Sequence, residues 1–195
     1  MCDPDDALRT PAGSAPPSDE GRDGIELGDG ATAAIREYRP TDRASLTTMY
    51  VEFPAQQREM GLPPLGGRDR VASWLDRILE RGRNVVATVA GHAEFDDGSV
   101  VGHAVVSPTM ESTPELAVFV RPAFQNRGVG TRLCATIVEL ARVNGHDGIM
   151  LRVAESNRRA VRVYEKLGFE VTEDPSEKPW QEMRLTFDRP GSEVG

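Results

Sequence analysis

A chain of 195 residues, 38% of them hydrophobic, can bury one good core and not two. Its net charge of −8 sits mostly in residues 1 to 30, where eight acids face two arginines, and the remaining 23 acids and 21 bases nearly balance. Without a basic face or stripe there is no electrostatic footprint for nucleic acid, and no apolar run approaches the roughly 20 residues that span a bilayer.

The first 31 residues are rich in Asp, Gly, Pro and Ser and poor in large apolar side chains, so they read as a disordered acidic tail. They lack the basic start and apolar stretch of a signal peptide. Cys2 lies in this tail and Cys134 inside a helical pattern, which suits two free thiols in a reducing cytoplasm. Only Lys166 and Lys178 are lysines among the 23 basic residues, a bias that fits either a GC-rich coding sequence or adaptation to high salt.

The folded domain is expected over residues 32–188, with 189–195 a flexible end. "TAAIREYRP" reads as a first strand, and Asp42 as the N-cap of a helix carrying Leu46, Met49, Tyr50 and Phe53. "GLPPLGG" interrupts the chain before a second helix with Val71, Trp74, Leu75, Ile78 and Leu79 on one stripe, ending near Gly82. "NVVATVAG" and "SVVGHAVVSPT" form a hairpin around "HAEFDDG". "ELAVFVRP" is a further strand closed by Pro122.

A helix then begins near Gly130, with Leu133, Ile137, Leu140 and Ala141 on one face and Asn144-Gly145 at its end. "GIMLRVAE" is a short strand, Asn157 caps the helix "RRAVRVYEKL" that stops at Gly168, and "FEVTE" and "QEMRLTF" are the last two strands around the loop "DPSEKPW". The order of elements predicts an α/β domain with helices packed on a mixed sheet.

The break at Gln125-Asn126-Arg127-Gly128-Val129-Gly130 places glycines between a strand and a helix, where backbone N–H groups turn toward an anion. No Gly-Lys-Ser/Thr follows, as a nucleoside triphosphate loop requires. Leu133 stands where a dinucleotide fingerprint has its third glycine. A phosphate-bearing ligand of another kind, or a tight turn between crowded backbones, fits these residues alone.

Gln125 to Gly130 together with "NRRAVRVYEKLGF" about thirty residues later resembles the GNAT superfamily of acyl-CoA-dependent N-acetyltransferases, whose Q/R-x-x-G-x-G/A signature lies between a strand and a helix. The resemblance runs from "AAIREYRPTD" to "EMRLTF". It implies a mixed, mostly antiparallel central sheet with helices on both faces. It also implies acetyl-CoA as co-substrate and transfer of its acetyl group to a primary amine of a small molecule or peptide. The strand holding Val118, Phe119 and Val120 would splay from its neighbour and pair with the pantetheine arm. The amides of Arg127, Gly128, Val129, Gly130 and Thr131 would cradle the pyrophosphate, with Gln125 and Asn126 in the same turn.

The resemblance further places Asn157 on the pantetheine and Tyr164 near the thioester sulfur, where a phenol can protonate the leaving thiolate. By residue pattern alone Asn157 is a helix cap and Tyr164 an amphipathic core residue. Some protein-acetylating relatives carry a glutamate where this chain has Arg152. Glu115, Glu52, His103 and Glu155 are then the candidates for the base, with ordered water as the alternative. Lack of an obvious base leaves a rival, a non-catalytic acyl-CoA-binding or regulatory module on the same fold.

His92, His103 and His146 are scattered without ligand spacing, so no metal is expected. The acceptor would be gripped by the first two helices and "EFPAQQREMGLPPLGGRD", with Glu52, Glu59 and Asp69 around it. Pairing through edge strands into a homodimer is a further implication of the resemblance.

Overall fold

The computed structural model describes residues 24–55, 63–64, 66–110, 112–172 and 179–187. Eight strands, β1 (Ile25–Glu26), β2 (Thr32–Glu37), β3 (Arg83–Ala90), β4 (Ser99–Ser107), β5 (Glu115–Val120), β6 (Gly148–Ala154), β7 (Glu170–Val171) and β8 (Trp180–Thr186), form one sheet in the order β1-β2-β3-β4-β5-β6-β8-β7. Every neighbouring pair is antiparallel except β5 and β6. Among the described residues there are four α-helices: α1 (Arg43–Val51), α2 (Arg68–Arg81), α3 (Val129–Val143) and α4 (Arg158–Lys166). Among the described residues no helix is long and apolar enough to cross a membrane.

The sheet is clothed on both faces because its strands alternate apolar side chains in both directions. On one face α1 and α2 close over Val86 and Val100, burying Leu46, Met49, Tyr50, Val71 and Leu75. On the other, α3 buries Val129, Leu133, Cys134, Ile137, Val138 and Ala141. Gly102 allows this close approach, since a Cβ there would lie 2.8 Å from Leu133 Cδ1. α4 has no fully buried residue and leans on the same core through Ala160, Val161, Tyr164 and Leu167.

Two sequence expectations change. Residues 24–31, assigned to the tail, join the fold: Ile25 pairs with Ala33, and Leu27 and Ala31 are buried at its edge. Sparse apolar residues among Gly and Asp concealed a strand of two residues; residues 1–23 lie outside the described part, as do 188–195. Asp42 does not cap α1 with its side chain. Its carboxylate accepts from the Arg39 N–H (2.8 Å) and from both terminal nitrogens of Arg36 (2.7 and 2.8 Å), anchoring β2 to the turn at Pro40–Asp42. β8 lies beside β6, and β7 is the edge strand beyond it.

Candidate functional site

The one parallel junction sets the geometry of the site. β5 and β6 meet only at Glu115 and Met150, where Met150 N–H donates to Pro114 O (2.9 Å), and beyond that pair the strands diverge. β4 is buried from Val100 to Val106, whereas most of β5 beside it is only partly covered despite lying mid-sheet. The wedge opens into a cavity of about 680 Å³. One side of it is the edge of β5, and the other is formed by Val153, Ser156 and the start and middle of α4.

Alternation in an antiparallel ladder decides which backbone groups face the wedge. Arg121 N–H donates to Val101 O (2.9 Å), and in the same register Phe119 pairs with His103, so the peptide groups of Phe119 turn toward β4. Those of Val118 and Val120 turn the other way, as the bond from Gln125 Nε2 to Val120 O (3.0 Å) shows. Of the three residues Val118, Phe119 and Val120, it is therefore the backbone groups of Val118 and Val120 that face away from β4. Phe119 contributes its ring instead, standing edge-on to Tyr50, Phe53 and Trp74 at centroid distances of 5.3, 6.1 and 6.4 Å.

At the far end of β5 the chain turns sharply before α3. Asn126 (φ 68°) and Gly128 (φ 84°) are both left-handed, a conformation open to glycine and, less freely, to asparagine. The turn delivers the unpaired first-turn N–H groups of Val129, Gly130 and Thr131 at the positive end of a 15-residue helix. The Val129 side chain is buried in the core, so only its backbone is available there. Arg127 is drawn away: its guanidinium pairs with Asp29 and donates to Leu27 O (3.2 Å), both in the segment after β1.

Val118, Phe119, Val120, Gln125, Asn157 and Tyr164 therefore converge on the cavity, and Asn126 to Thr131 form the turn at its mouth. Asn157 caps α4, its Oδ1 accepting from Ala160 N–H (3.2 Å). Tyr164 lines the cavity two turns on and packs against Phe169, 5.7 Å between centroids.

The four candidate bases separate cleanly. His103 is fully buried, with Nδ1 2.6 Å from the Tyr50 hydroxyl and Nε2 3.0 Å from Asn84 Oδ1. Asn84 Nδ2 donates to Gly82 O (2.7 Å), so its Oδ1 is the acceptor; His103 donates from Nε2 and receives the Tyr50 proton at Nδ1. Burial lowers the His103 pKa from 6.5 to about 3. It is a neutral structural group. Glu52 pairs with Arg121 (2.8 Å) away from the cavity lining, and Glu155 is exposed. Glu115 alone of the four lines the cavity, with Oε1 3.2 Å from Arg152 Nη1.

Arg152, Glu182, Arg184 and Trp180 escaped sequence reading as a group because they come from two strands joined only in space. Their signal was the period of two along "WQEMR", which puts Trp180, Glu182 and Arg184 on one face of β8, opposite Ala154, Arg152 and Met150. Among the described residues no three His, Cys, Asp or Glu side chains converge as a metal would need. Of the proposed acceptor loop, residues 56–62 and 65 lie outside the described part, Glu59 among them.

Comparison with known proteins bears on this geometry. Residues 48–169 match the family described as Acetyltransferase (GNAT) family. Among curated relatives, a probable N-acetyltransferase camello of Xenopus tropicalis is 33% identical over 76 residues, covering 37% of this chain and 35% of its own length. The L-amino acid N-acetyltransferase AaaT of Escherichia coli is 31% identical over 108 residues, covering 50% of this chain and 60% of its own length. The chain thus spans about a third of the first and three fifths of the second.

Among solved structures, the GNAT domain of S. lividans PAT superposes with a TM-score of 0.65 at 19% identity, over 85% of this chain and 96% of that one. The structure of yncA, a putative acetyltransferase from Salmonella typhimurium with its cofactor acetyl-CoA, gives 0.62 at 22%, over 80% and 94%. At these identities the structural likeness speaks to the fold.

Proposed function

The chain belongs to the GNAT acetyltransferase family, and from that premise we propose that it transfers the acetyl group of acetyl-CoA to a primary amine by direct attack. The observation that carries this reading is the wedge between β5 and β6, with open backbone groups along one wall and a glycine turn and helix N-terminus at one end. Pantetheine would lie along Val118 and Val120 as an added strand. Its pyrophosphate would meet the amides from Gly128 to Thr131, and Asn157 would contact the arm from α4. Arg127, held by Asp29, would contribute its amide.

In this arrangement the acceptor approaches as an ammonium and gives a proton to Glu115, directly or through water, before its nitrogen attacks the thioester carbonyl. The oxyanion that forms is met by a β5 N–H on the open edge, a stabilisation of a few kcal/mol in such sites. The C–S bond then breaks as the nitrogen releases its second proton to solvent, and Tyr164 hands the departing thiolate a proton that solvent restores, Glu115 shedding its own in turn. The products are the N-acetylated amine and CoA.

Isothermal calorimetry with acetyl-CoA and thiol detection across an amine panel test this reading. Saturable binding and amine-dependent release of CoA are expected. Absence of binding at about millimolar acetyl-CoA, far weaker than a pyrophosphate cradle should give, would sink it.

A further inference from the structure

We propose that the acceptor is a free α-amino acid with an apolar side chain, its carboxylate received by Arg152 and its ammonium by Glu115, a proposal that rests on the acetyltransferase activity above and adds the class of acceptor. Beyond Asn157 and Tyr164 the cavity has a second, chemically different end. Phe53 after α1 and Trp74 and Ile78 on α2 make an apolar wall. Across from them the sheet presents charges of alternating sign on successive strands: Glu115 on β5, Arg152 on β6 and Glu182 on β8.

The balance of these charges selects among amines. Among the described residues the two acids face two arginines, Arg184 Nε lying 3.0 Å from Glu182 Oε1. A polyamine would be drawn by surplus acid and a phosphorylated acceptor by surplus base, and among the described residues lining the cavity neither is present. What the cavity offers is one anion beside one cation, Glu115 Oε1 and Arg152 Nη1 being 3.2 Å apart. The ammonium and carboxylate of an α-amino acid are about 3 Å apart through two covalent bonds from the shared carbon. A zwitterion lying antiparallel to the pair gives each of its charges an opposite partner.

Such pairing matters because an unmatched charge taken from water into a partly enclosed cleft is costly. Arg152 is also placed for the task. Its guanidinium stands 5.3 Å over the Trp180 ring and 3.6 Å from Glu182, an ion pair looser than a hydrogen bond. Its planar fork of N–H donors matches the geometry of a carboxylate. An acceptor held this way turns its side chain toward Phe53, Trp74 and Ile78.

The test compares L-leucine with L-leucinamide, which keeps amine and side chain and loses the carboxylate. The intact chain should prefer leucine at least about tenfold in kcat/KM, and R152Q should bring the two within about twofold, R152K lying between. Any general effect of R152Q on Glu115 or on folding alters both acceptors and cancels in the ratio. Equal use of leucinamide by the intact chain, or a preference that survives R152Q, overturns the proposal. If no amine releases CoA, the acetyltransferase reading is what has failed, and binding then decides this one. Both tryptophans of the chain flank the site, so leucine should shift their fluorescence saturably in the presence of CoA, about tenfold more weakly in R152Q. No saturable shift overturns the proposal as well.

Discussion

Replacing His103 by glutamine should change how the fold responds to acid more than how it responds to anything else. Tyr50 from α1, Asn84 from β3 and Phe119 from β5 surround the ring, and none brings a charge. In the folded chain its pKa is lowered by burial to about 3, against 6.5 for a free imidazole. The unfolded chain therefore binds a proton that the folded chain refuses, and stability present above pH 6.5 is lost as pH falls toward about 3. Each pH unit in that window is worth about 1.4 kcal/mol. Moving from about pH 8 to about pH 5 thus removes about 2 kcal/mol, whatever the folded value, provided it lies well under 5.

Glutamine does not titrate, so H103Q lacks this loss. Its amide can still meet the Tyr50 hydroxyl and Asn84, which limits the penalty at neutral pH to about 1–3 kcal/mol for an imperfectly satisfied buried group. Urea unfolding followed by tryptophan fluorescence measures both chains at the two pH values, so contributions common to both cancel. The stability gap between intact chain and variant should narrow by about 2 kcal/mol at the lower pH. Parallel pH profiles, differing by less than about 0.5 kcal/mol, would refute the reasoning and restore His103 as a group that gains a proton in the fold.

Two changes at the cavity probe the proposed chemistry. Tyr164→Phe should lower turnover at least about tenfold while leaving CoA affinity within about twofold, read by thiol detection and calorimetry; unchanged turnover assigns the proton to another donor. Glu115→Gln should lower kcat/KM about a hundredfold near neutral pH, with the loss shrinking as pH rises and more amine arrives unprotonated; a loss constant with pH would argue against a base at this position.

Local chemistry made part of this site legible in sequence. The left-handed turn at Asn126 and Gly128, the amphipathic stripe of α3 and the cap at Asn157 each depend on residues within one or two turns of chain, where spacing and residue type suffice. The same reasoning passed over β1, because two paired residues flanked by Gly and Asp carry no periodicity. It also missed the bond linking Tyr50 to His103, which spans 53 residues and depends on α1 crossing the sheet at β4. Residue type could nominate His103 as a base; only its burial and two filled ring nitrogens show why it is not one.

The separation of β5 from β6 joins the two halves of the site. A sheet that continued its pairing past Glu115 and Met150 would consume the backbone groups of Val118 and Val120 and leave no wedge for a thioester. It would also bring Arg152 fully under β5, closing the surface where Glu115 and Arg152 now stand exposed to the cavity. The pair at the apex therefore has a double consequence: it fixes the strands at one point, and it sets an acid and a base side by side where the strands begin to part. In the proposed reaction catalysis and acceptor recognition depend on the same few residues, so changes at Glu115 should disturb both while changes at Tyr164 disturb only the first. Measured as KM for the amine against kcat, that contrast distinguishes a charge that grips the acceptor from one that merely steadies the sheet.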